Sequence, residues 1–366
     1  MSDASPSPSA PEPTAPTPHR RRPRYAGKNP RRFEDKYKEH DPVRYAAEVA
    51  KVVASGKTPA GTHRPIMVGE ILEVLALRPG EIAVDCTLGY GGHAQELLAR
   101  LAPTGASVRG RLIGLDVDPL EQPKTIARLR AAGWGEDTFT AVRSNFAGLP
   151  KVLAQLSLDG ADAILADLGV SSMQIDDPAR GFTFKADGPL DLRLNPQRSP
   201  NAAEWLARAS AADVARALEE NSDEPHAALL ARELVTRRTV EPFTRTQQLA
   251  DAIREILAAQ RLTRDPELAT ACVRRVFQAL RIAVNDEFSA LDLLLRHLPV
   301  CLKPGGRVAI LTFHSGEDRR VKHAFRDGVR DGIYSSANDE VGRASPAEQR
   351  ANPRSSSAKL RWAIRA

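Results

Sequence analysis

Residues 82–94 read I-A-V-D-C-T-L-G-Y-G-G-H-A, an apolar run that passes directly into a glycine-rich turn. The apolar residues at 82–86 predict a short buried strand. The three glycines that follow predict a tight turn into a helix at 94–102. Such a turn lets a ligand approach the backbone and the helix N-terminus closely. This stretch therefore predicts an α/β fold with a ligand site beside its first strand.

The same alternation of strands and helices continues on both sides of this turn. Helices are predicted at 68–77 and 120–132, and further strands at 112–116, 139–142, 163–168, 307–313 and 359–364. K-P-G-G at 303–306 predicts a tight turn before one of these strands. Strands that alternate with helices at this spacing predict a doubly wound, mainly parallel sheet.

The alternation stops between about 201 and 298, where the chain reads as helices only. Helices are predicted at 202–220, 225–238 and 246–259. A single long helical stripe is predicted from Val273 to Leu295, and its spacing is that of ordinary core packing. The sheet is therefore predicted to be interrupted by a helical insertion.

Charge is concentrated in the two ends of the chain. The formal charge is +6, and residues 1–57 carry twelve Lys and Arg against seven Asp and Glu, while residues 303–366 carry thirteen against seven. Because 1–57 begins with prolines and small polar residues and then turns basic, it is predicted to be a disordered tail. The two interpretations of this tail are a solubilising extension and an arm that binds a polyphosphate partner.

The cysteines and the hydropathy of the chain indicate the compartment in which the protein works. Three scattered cysteines fit neither a disulfide framework nor a C-x-x-C metal site, so we expect a reducing compartment and no bound metal. No apolar run is long enough to cross a bilayer. These observations predict a cytoplasmic protein.

The glycine turn is compatible with two kinds of cofactor. G-x-G-x-x-A at 89–94 fits a dinucleotide pattern, and Asp116 lies about where a ribose-binding carboxylate belongs. A dinucleotide has no evident use for Asp85, the acid just before the glycines, whereas a cationic sulfonium does. The residues therefore favour S-adenosylmethionine over a nicotinamide cofactor. Phe146, after the third strand, either packs on the adenine face or belongs to the core.

Residues 167–192, D-L-G-V-S-S-M-Q-I-D-D-P-A-R-G-F-T-F-K-A-D-G-P-L-D-L, concentrate polar side chains behind a buried strand. Asp167 closes that strand, where an acid either caps a turn or faces a ligand. Since the same sheet edge carries the cofactor candidates, Asp167 is our first candidate for a catalytic residue. Other side chains in this stretch that could orient a substrate are Ser171, Ser172, Asp187 and Asp191.

Six motifs carry a resemblance to a known family. They are H-R-P-I-M at 63–67, D-C-T-L-G-Y-G-G-H at 85–93, the 167–193 stretch, F-Q-A-L-R-I-A-V-N-D-E at 277–287, L-K-P-G-G-R-V-A-I-L-T-F-H-S-G-E-D-R at 302–319 and N-P-R-S-S-S-A-K-L-R at 352–361. In this order they closely resemble the MraW/RsmH family. That family comprises S-adenosylmethionine-dependent methyltransferases that act on N4 of a decoding-centre cytosine in 16S ribosomal RNA.

The resemblance implies a class I, Rossmann-like methyltransferase domain at 58–170 and 285–366, with an all-helical substrate-recognition domain inserted at 171–284. It implies the small ribosomal subunit as partner and leaves the oligomeric state open, a homodimer included. The cofactor contacts that it implies are Gly91, Gly92, His93, Asp116, Phe146, Asp167 and Gln174.

Two departures from the family pattern and two rival functions stand beside this resemblance. Gly316 stands where the family usually has Leu, and N-S-D-E at 221–224 replaces a common Y-G-E-E. The rivals are a methyltransferase-fold ribosome-assembly factor without activity and a nicotinamide-dependent oxidoreductase.

Methylation of an aromatic amine also needs a proton acceptor. His314 is a candidate for this role, and the alternative is that it is a structural histidine.

An extruded base needs stacking and phosphate contacts. The predicted contacts are Arg180, Phe182, Phe184 and Arg193, with hinge packing as the alternative for the two phenylalanines.

Overall fold

The computed structural model describes residues 65–198 and 200–366, so the predicted N-terminal tail lies outside the described residues. Seven strands of this part form one sheet: β1 Ile82–Asp85, β2 Arg111–Asp116, β3 Phe139–Arg143, β4 Ala161–Asp167, β5 Leu302–Thr312, β6 Tyr334–Ala337 and β7 Lys359–Arg365. Their spatial order is β3-β2-β1-β4-β5-β7-β6. Strands β1 to β5 pair with one another in parallel, and β7 is antiparallel to β5 and β6.

The helices are α1 Val68–Leu75, α2 Gly92–Leu101, α3 Gln122–Ala131, α4 Leu149–Gln155, α5 Ser172–Asp176, α6 Ala202–Arg208, α7 Ala211–Ser222, α8 Ala227–Arg238, α9 Thr246–Ala259, α10 Pro266–Asn285, α11 Glu287–Cys301, α12 Ser315–Arg330 and α13 Pro346–Ala351. Short 3₁₀ turns lie at Phe146–Gly148, Pro178–Arg180 and Pro353–Ser357. None of the described helices has both the length and the apolar character that crossing a membrane requires.

Alternate residues of each strand enter opposite layers, as the period of two in a strand requires. Ala83 packs in the layer with α1 and α2, whereas Val84 packs in the layer with α4, α11 and α12. A third apolar core is formed mainly by helices α6 to α10 and includes Leu230, Ile253 and Val273. The doubly wound sheet predicted from the sequence is therefore confirmed. Helices α6 to α10 build a core of their own, whereas α11 packs on the sheet.

Two predicted helices were wrong in their extent. The helix predicted at 202–220 is two helices, because Ser210 caps α7 by accepting a hydrogen bond from the backbone N–H of Asp213. The stripe predicted from Val273 to Leu295 is likewise split between α10 and α11. Asp286 adopts a left-handed conformation there, with φ 52°. Apolar periodicity does not register such a break, because the stripe continues on the next helix.

The K-P-G-G segment differs from its prediction as well. The strand β5 begins at Leu302 and passes through the four residues before pairing again, so that Leu302 lies opposite Ala161 while Arg307 lies opposite Ala163. The register shifts at these residues and Gly305 has φ +71°, so the turn residues lie within β5 and not before it. They lie at the end of the sheet away from the acids that close β1, β2 and β4.

The strand order places the carboxyl ends of the central strands at one edge. β1 lies between β2 and β4, so chain connections leave it in opposite directions. In open α/β sheets ligands bind at such a switch point, outside the carboxyl ends of the strands. Asp85, Asp116 and Asp167 are the last residues of β1, β2 and β4 and therefore lie around this point.

Candidate active site

A cavity of about 390 Å³ opens at the carboxyl ends of the strands. Its wall is formed by the turns after β1 to β5 and by the adjoining ends of α10 and α11. The wall includes all the residues that the sequence analysis selected as principal site residues: Gly91, Gly92, His93, Asp116, Phe146, Asp167, Ser171, Ser172 and Gln174. The fold thus brings together residues from Gly91 to Gln174, which lie far apart in the sequence.

The glycine turn after β1 has a conformation that other residues rarely adopt. Gly91 has φ +82°, and a Cβ atom placed on it would lie 2.8 Å from Cγ2 of Thr125. The Thr125 hydroxyl donates to the carbonyl oxygen of Gly89 at 2.5 Å and holds the turn against α3. The backbone at the start of α2 therefore stays open to a ligand in the cavity.

Asp116 is built into this turn. Its Oδ2 accepts a hydrogen bond from the backbone N–H of Gly89 at 2.7 Å, and its Oδ1 accepts one from the N–H of Asp118 at 2.8 Å. Burial raises the pKa of Asp116 to about 6, although these two donors oppose the rise. Each carboxylate oxygen can accept a further hydrogen bond, so the group can bind a ribose diol in the cavity.

Asp167 and His93 form the centre of the wall. The His93 Nδ1 lies 3.4 Å from Oδ2 of Asp167. On the other side of the ring, Nε2 lies 2.9 Å from the carbonyl oxygen of Ile66. Because a carbonyl can only accept, Nε2 is the nitrogen that donates in this contact. Burial raises the pKa of Asp167, partly offset by His93. Its Oδ1 is buried and has no hydrogen-bond partner among the described residues.

Asp85 does not occupy the position that the sequence analysis gave it. The carboxyl is 1% exposed, it does not line the cavity, and its Oδ1 accepts from the backbone N–H of Thr87 at 3.0 Å. Burial raises its pKa to about 6. Asp85 therefore stands behind the wall and acts on a ligand through its charge, without direct contact.

The α5 helix links the cavity to a buried ion pair. Ser171 and Gln174 form a capping box, in which Ser171 Oγ accepts from the N–H of Gln174 and Gln174 Oε1 accepts from the N–H of Ser171. The Gln174 Nε2 donates to Oδ2 of Asp118 at 2.8 Å, and the same oxygen accepts from Arg180 Nη1 at 2.8 Å. The Arg180 side chain is 9% exposed. Its predicted contact with RNA is therefore wrong, because the guanidinium is committed to Asp118 inside the protein.

The remaining RNA candidates also have partners within the protein. Phe184 packs on Phe277 at 5.3 Å between ring centroids, which supports hinge packing, and Phe182 packs against the same helical core. The Arg193 guanidinium donates to both carboxylate oxygens of Asp191. None of these residues lines the cavity.

Asp187, a secondary candidate of the sequence analysis, lies outside the cavity as well. It accepts two hydrogen bonds from Arg245, which lower its pKa. Asp191 is held by Arg193. Neither acid can orient a substrate in the cavity, so Asp167 is the acid of this stretch that remains available.

The cavity wall also contains Arg281 and Glu317, to which the sequence analysis assigned no role, and His314, its candidate for the proton acceptor. Arg281 donates to both oxygens of Glu287 through Nε and Nη2, at 2.8 and 2.9 Å. The His314 Nε2 lies 3.1 Å from Oε1 of Glu317. Burial alone would raise the pKa of Glu317, but His314 and Arg281 lower it, so the group stays ionised. The F-Q-A-L-R-I-A-V-N-D-E motif contains Arg281, yet only the fold shows that it faces a ligand cavity.

The cavity fits S-adenosylmethionine by its charge as well as by its shape. The buried carboxyls of Asp85, Asp116 and Asp167 all have raised pKa values because burial penalises their charged forms. A cation brought among them restores their ionisation and gains attraction from it. The open backbone at Gly91 and Gly92 has room for the amino-acid end of such a ligand. The described residues contain no cluster of His, Cys, Asp and Glu suited to a metal ion.

Comparison with known proteins agrees with this geometry. The model of the MraW methylase family matches residues 60–366. The ribosomal RNA small subunit methyltransferase H 1 of Lachnoclostridium phytofermentans is 47% identical over 349 residues, which cover 95% of this chain and 93% of that protein. The ribosomal RNA small subunit methyltransferase H of Thioalkalivibrio sulfidiphilus is 40% identical over 328 residues, covering 85% and 99% of the two chains.

A solved rRNA methylase from Streptococcus thermophilus superimposes with a TM-score of 0.36 at 12% identity, covering 81% of this chain and 93% of that one. The sequence matches are far closer than this structural one and decide the family. With its class I sheet, its glycine turn and its acid-lined cavity for S-adenosylmethionine, the chain belongs to the MraW methylase family.

Proposed function

We propose that this protein transfers a methyl group from S-adenosylmethionine to the N4 amine of a decoding-centre cytidine in the 16S RNA of the small ribosomal subunit. One observation carries the proposal: the buried Oδ1 of Asp167 has no partner among the described residues and lies in the wall of the cavity that holds the glycine turn. An orphaned buried acceptor is costly unless a ligand supplies a donor. The names of the relatives support ribosomal RNA of the small subunit as the substrate.

The cofactor residues fall into three groups in this proposal. Gly91, Gly92 and His93 surround the amino-acid end, Asp116 accepts from the ribose, and Phe146 packs on the adenine. Gln174 keeps α5 in register through its capping box with Ser171. Bound in this way, S-adenosylmethionine supplies an electrophilic methyl group on a sulfonium.

Asp167 then has two tasks at the reacting centre. Cytosine N4 is a weak nucleophile because its lone pair is delocalised into the ring, so positioning makes a large contribution to the rate. Oδ1 of Asp167 accepts one N–H of the amine and orients the nitrogen towards the methyl group. As the new N–C bond forms and the bond from the methyl group to sulfur breaks, S-adenosylhomocysteine is released and the nitrogen becomes positive. The carboxylate of Asp167 stabilises that charge and takes up the N4 proton, which leaves the methylated amine neutral. Ser171 and Ser172 lie in the same wall and provide further hydrogen-bonding groups for the base.

The helical segment at 171–284 is assigned to substrate recognition in this proposal. Its helices α6 to α10 have an apolar core of their own, and α10 ends with Arg281 and Asn285 in the cavity wall. A body that contacts the RNA on one side and the active site on the other can deliver an extruded base to the cofactor.

The proposal is tested by transfer of labelled methyl groups to small subunits isolated from cells that lack this activity, followed by nucleoside analysis. We expect N4-methylated cytidine with the natural protein, and at least a hundredfold loss of rate with Asp167→Asn, because the negative charge is removed and one carboxylate oxygen is replaced by an NH2 donor. Asp187→Asn is the matched control, since Asp187 pairs with Arg245 outside the cavity.

Two outcomes would contradict the proposal. Label in another nucleoside would overturn the cytidine assignment. Subunit binding without transfer by either the natural protein or Asp167→Asn would favour an assembly factor that keeps the fold without the activity.

A further inference from the structure

The cavity wall contains a guanidinium that uses only one of its two hydrogen-bonding edges. Arg281 lies on the last turn of α10 and lines the cavity, with a side chain that is 14% exposed. Its Nε and Nη2 are bound by Glu287 in a bidentate pair. Its Nη1 makes no hydrogen bond to any residue in the part of the chain that the structure describes. One edge of the planar group is therefore fixed, and the other edge is free.

The bidentate pair with Glu287 fixes the orientation of the free edge of the Arg281 guanidinium. A bidentate carboxylate pair holds a guanidinium in one plane, and Asn285 also ties α10 at this point by donating from Nδ2 to the carbonyl oxygen of Arg281 at 2.9 Å. The same Asn285 side chain accepts from the backbone N–H of Leu194, where the chain leads into the helical segment. Little conformational freedom remains to be lost when the free edge binds a ligand.

The Arg281 group stands near the reacting centre. Asp167, Arg281 and Glu317 all line the same cavity, and Glu317 interacts electrostatically with both of the other groups. The wall thus presents an acceptor at Asp167 and donors at Arg281. A cytosine presents the complementary order along one edge, an N4 donor followed by the N3 and O2 acceptors.

We infer that Arg281 is the specificity-determining residue for the target base, donating from its free guanidinium edge to N3 and O2 of cytosine while Asp167 accepts from N4. The inference rests on the proposed function and deepens it, because it names the group that distinguishes cytosine from other bases. Uracil carries a proton on N3 and so meets the guanidinium with a donor against a donor. Adenine has an amine beside an acceptor nitrogen but no equivalent of O2.

The test measures binding, so that base recognition is separated from methyl transfer. Small subunits with cytidine or with uridine at the methylated position are titrated with the full-length protein in the presence of S-adenosylhomocysteine. We expect the natural protein to prefer cytidine by about 10- to 100-fold, the range of one good bidentate contact. We expect Arg281→Lys, which keeps the charge but loses the planar fork, to reduce that preference to about threefold or less.

The matched control is Arg275→Lys. Arg275 lies on the same helix and pairs with Glu224 at 2.7 Å, but it does not line the cavity. It should leave the preference between cytidine and uridine unchanged. The affinity of Arg281→Lys for S-adenosylhomocysteine should stay within about twofold of the natural value, because Arg281 pairs with Glu287 and with none of the residues assigned to the cofactor. If Arg281→Lys does not fold, Glu287→Gln replaces it, since loosening the fixed edge should also lower the preference.

Two results would overturn the inference. An equal loss of affinity for both subunits, with a shallower dependence on salt, would make Arg281 a phosphate contact. An unchanged preference in a folded variant would make the Arg281–Glu287 pair purely structural. Failure of the proposed function would look different, because the natural protein would then transfer no methyl group to cytidine.

Discussion

Replacing Arg180 by Met tests how strongly the buried ion pair beside the cofactor site supports the fold. The substitution removes the hydrogen bond to Asp118 Oδ2 at 2.8 Å and those to the carbonyl oxygens of Arg193 and Leu194 at 3.1 and 3.0 Å. It leaves the carboxylate of Asp118, which is 1% exposed, without its counter-charge. Breaking a buried pair in this way costs about 3–5 kcal/mol.

The expected cost lies at the lower end of that range. Asp118 keeps hydrogen bonds from Gln174 Nε2 and from the backbone N–H of Leu120, so its negative charge is still partly stabilised. We therefore expect the free energy of unfolding to fall by about 3 kcal/mol, or the melting temperature by about 6–12 °C. Urea unfolding followed by circular dichroism measures this change, with the slope against urea as a check that the transition is comparable.

A second substitution separates the ion pair from simple loss of packing. Asp118→Asn removes the charge that Arg180→Met leaves behind, so the double variant should be less destabilised than the sum of the two single changes, by more than about 1 kcal/mol. Strict additivity would refute the reasoning, and so would a cost below about 1 kcal/mol for Arg180→Met. Since Gln174 shares the same carboxylate oxygen, Arg180→Met should also weaken binding of S-adenosylhomocysteine.

Three further predictions follow from the cavity and its surroundings. The pKa values of about 6 at Asp85 and Asp116 lie above the ordinary value of 3.8, so these groups contribute stability to the ligand-free protein below about pH 4, and that contribution is lost as the pH rises through 6. Affinity for the cationic S-adenosylmethionine, measured by calorimetry, should accordingly rise by up to about tenfold per group between pH 5 and 7, and a flat profile would contradict this cause. Gly91→Ala should weaken cofactor binding at least about tenfold, because an L-residue is strained at φ +82°; unchanged binding would show that the turn can relax. Gly316→Leu should lower the free energy of unfolding by about 1–3 kcal/mol, because its Cβ would lie 2.6 Å from Cζ of Phe288, and adding Phe288→Leu should recover most of the loss if that overlap is the cause.

The local features of this protein could be read from its sequence. Apolar runs and glycines at 82–94 predicted the first strand and the turn into α2, because a strand of period two and a residue with positive φ depend on neighbouring residues only. The acids that end β2 and β4 were selected for the same reason. Parallel strands gather their carboxyl ends at one edge, so Asp116 and Asp167 were expected to lie near one ligand, and both line the cavity.

The tertiary structure alone decided which charged side chains are buried and which partners they bind. Asp85 looked like a ligand-facing acid at a strand end, but packing buried it behind the wall. Arg180 looked like an RNA contact, but its partner is Asp118, 62 positions earlier in the chain. The position of Arg281 in the cavity wall depends on where the fold places the end of α10, and the sequence did not show it. Periodicity and motif spacing describe which residues share a face of an element, whereas the burial of a charge and its partners depend on how distant elements pack.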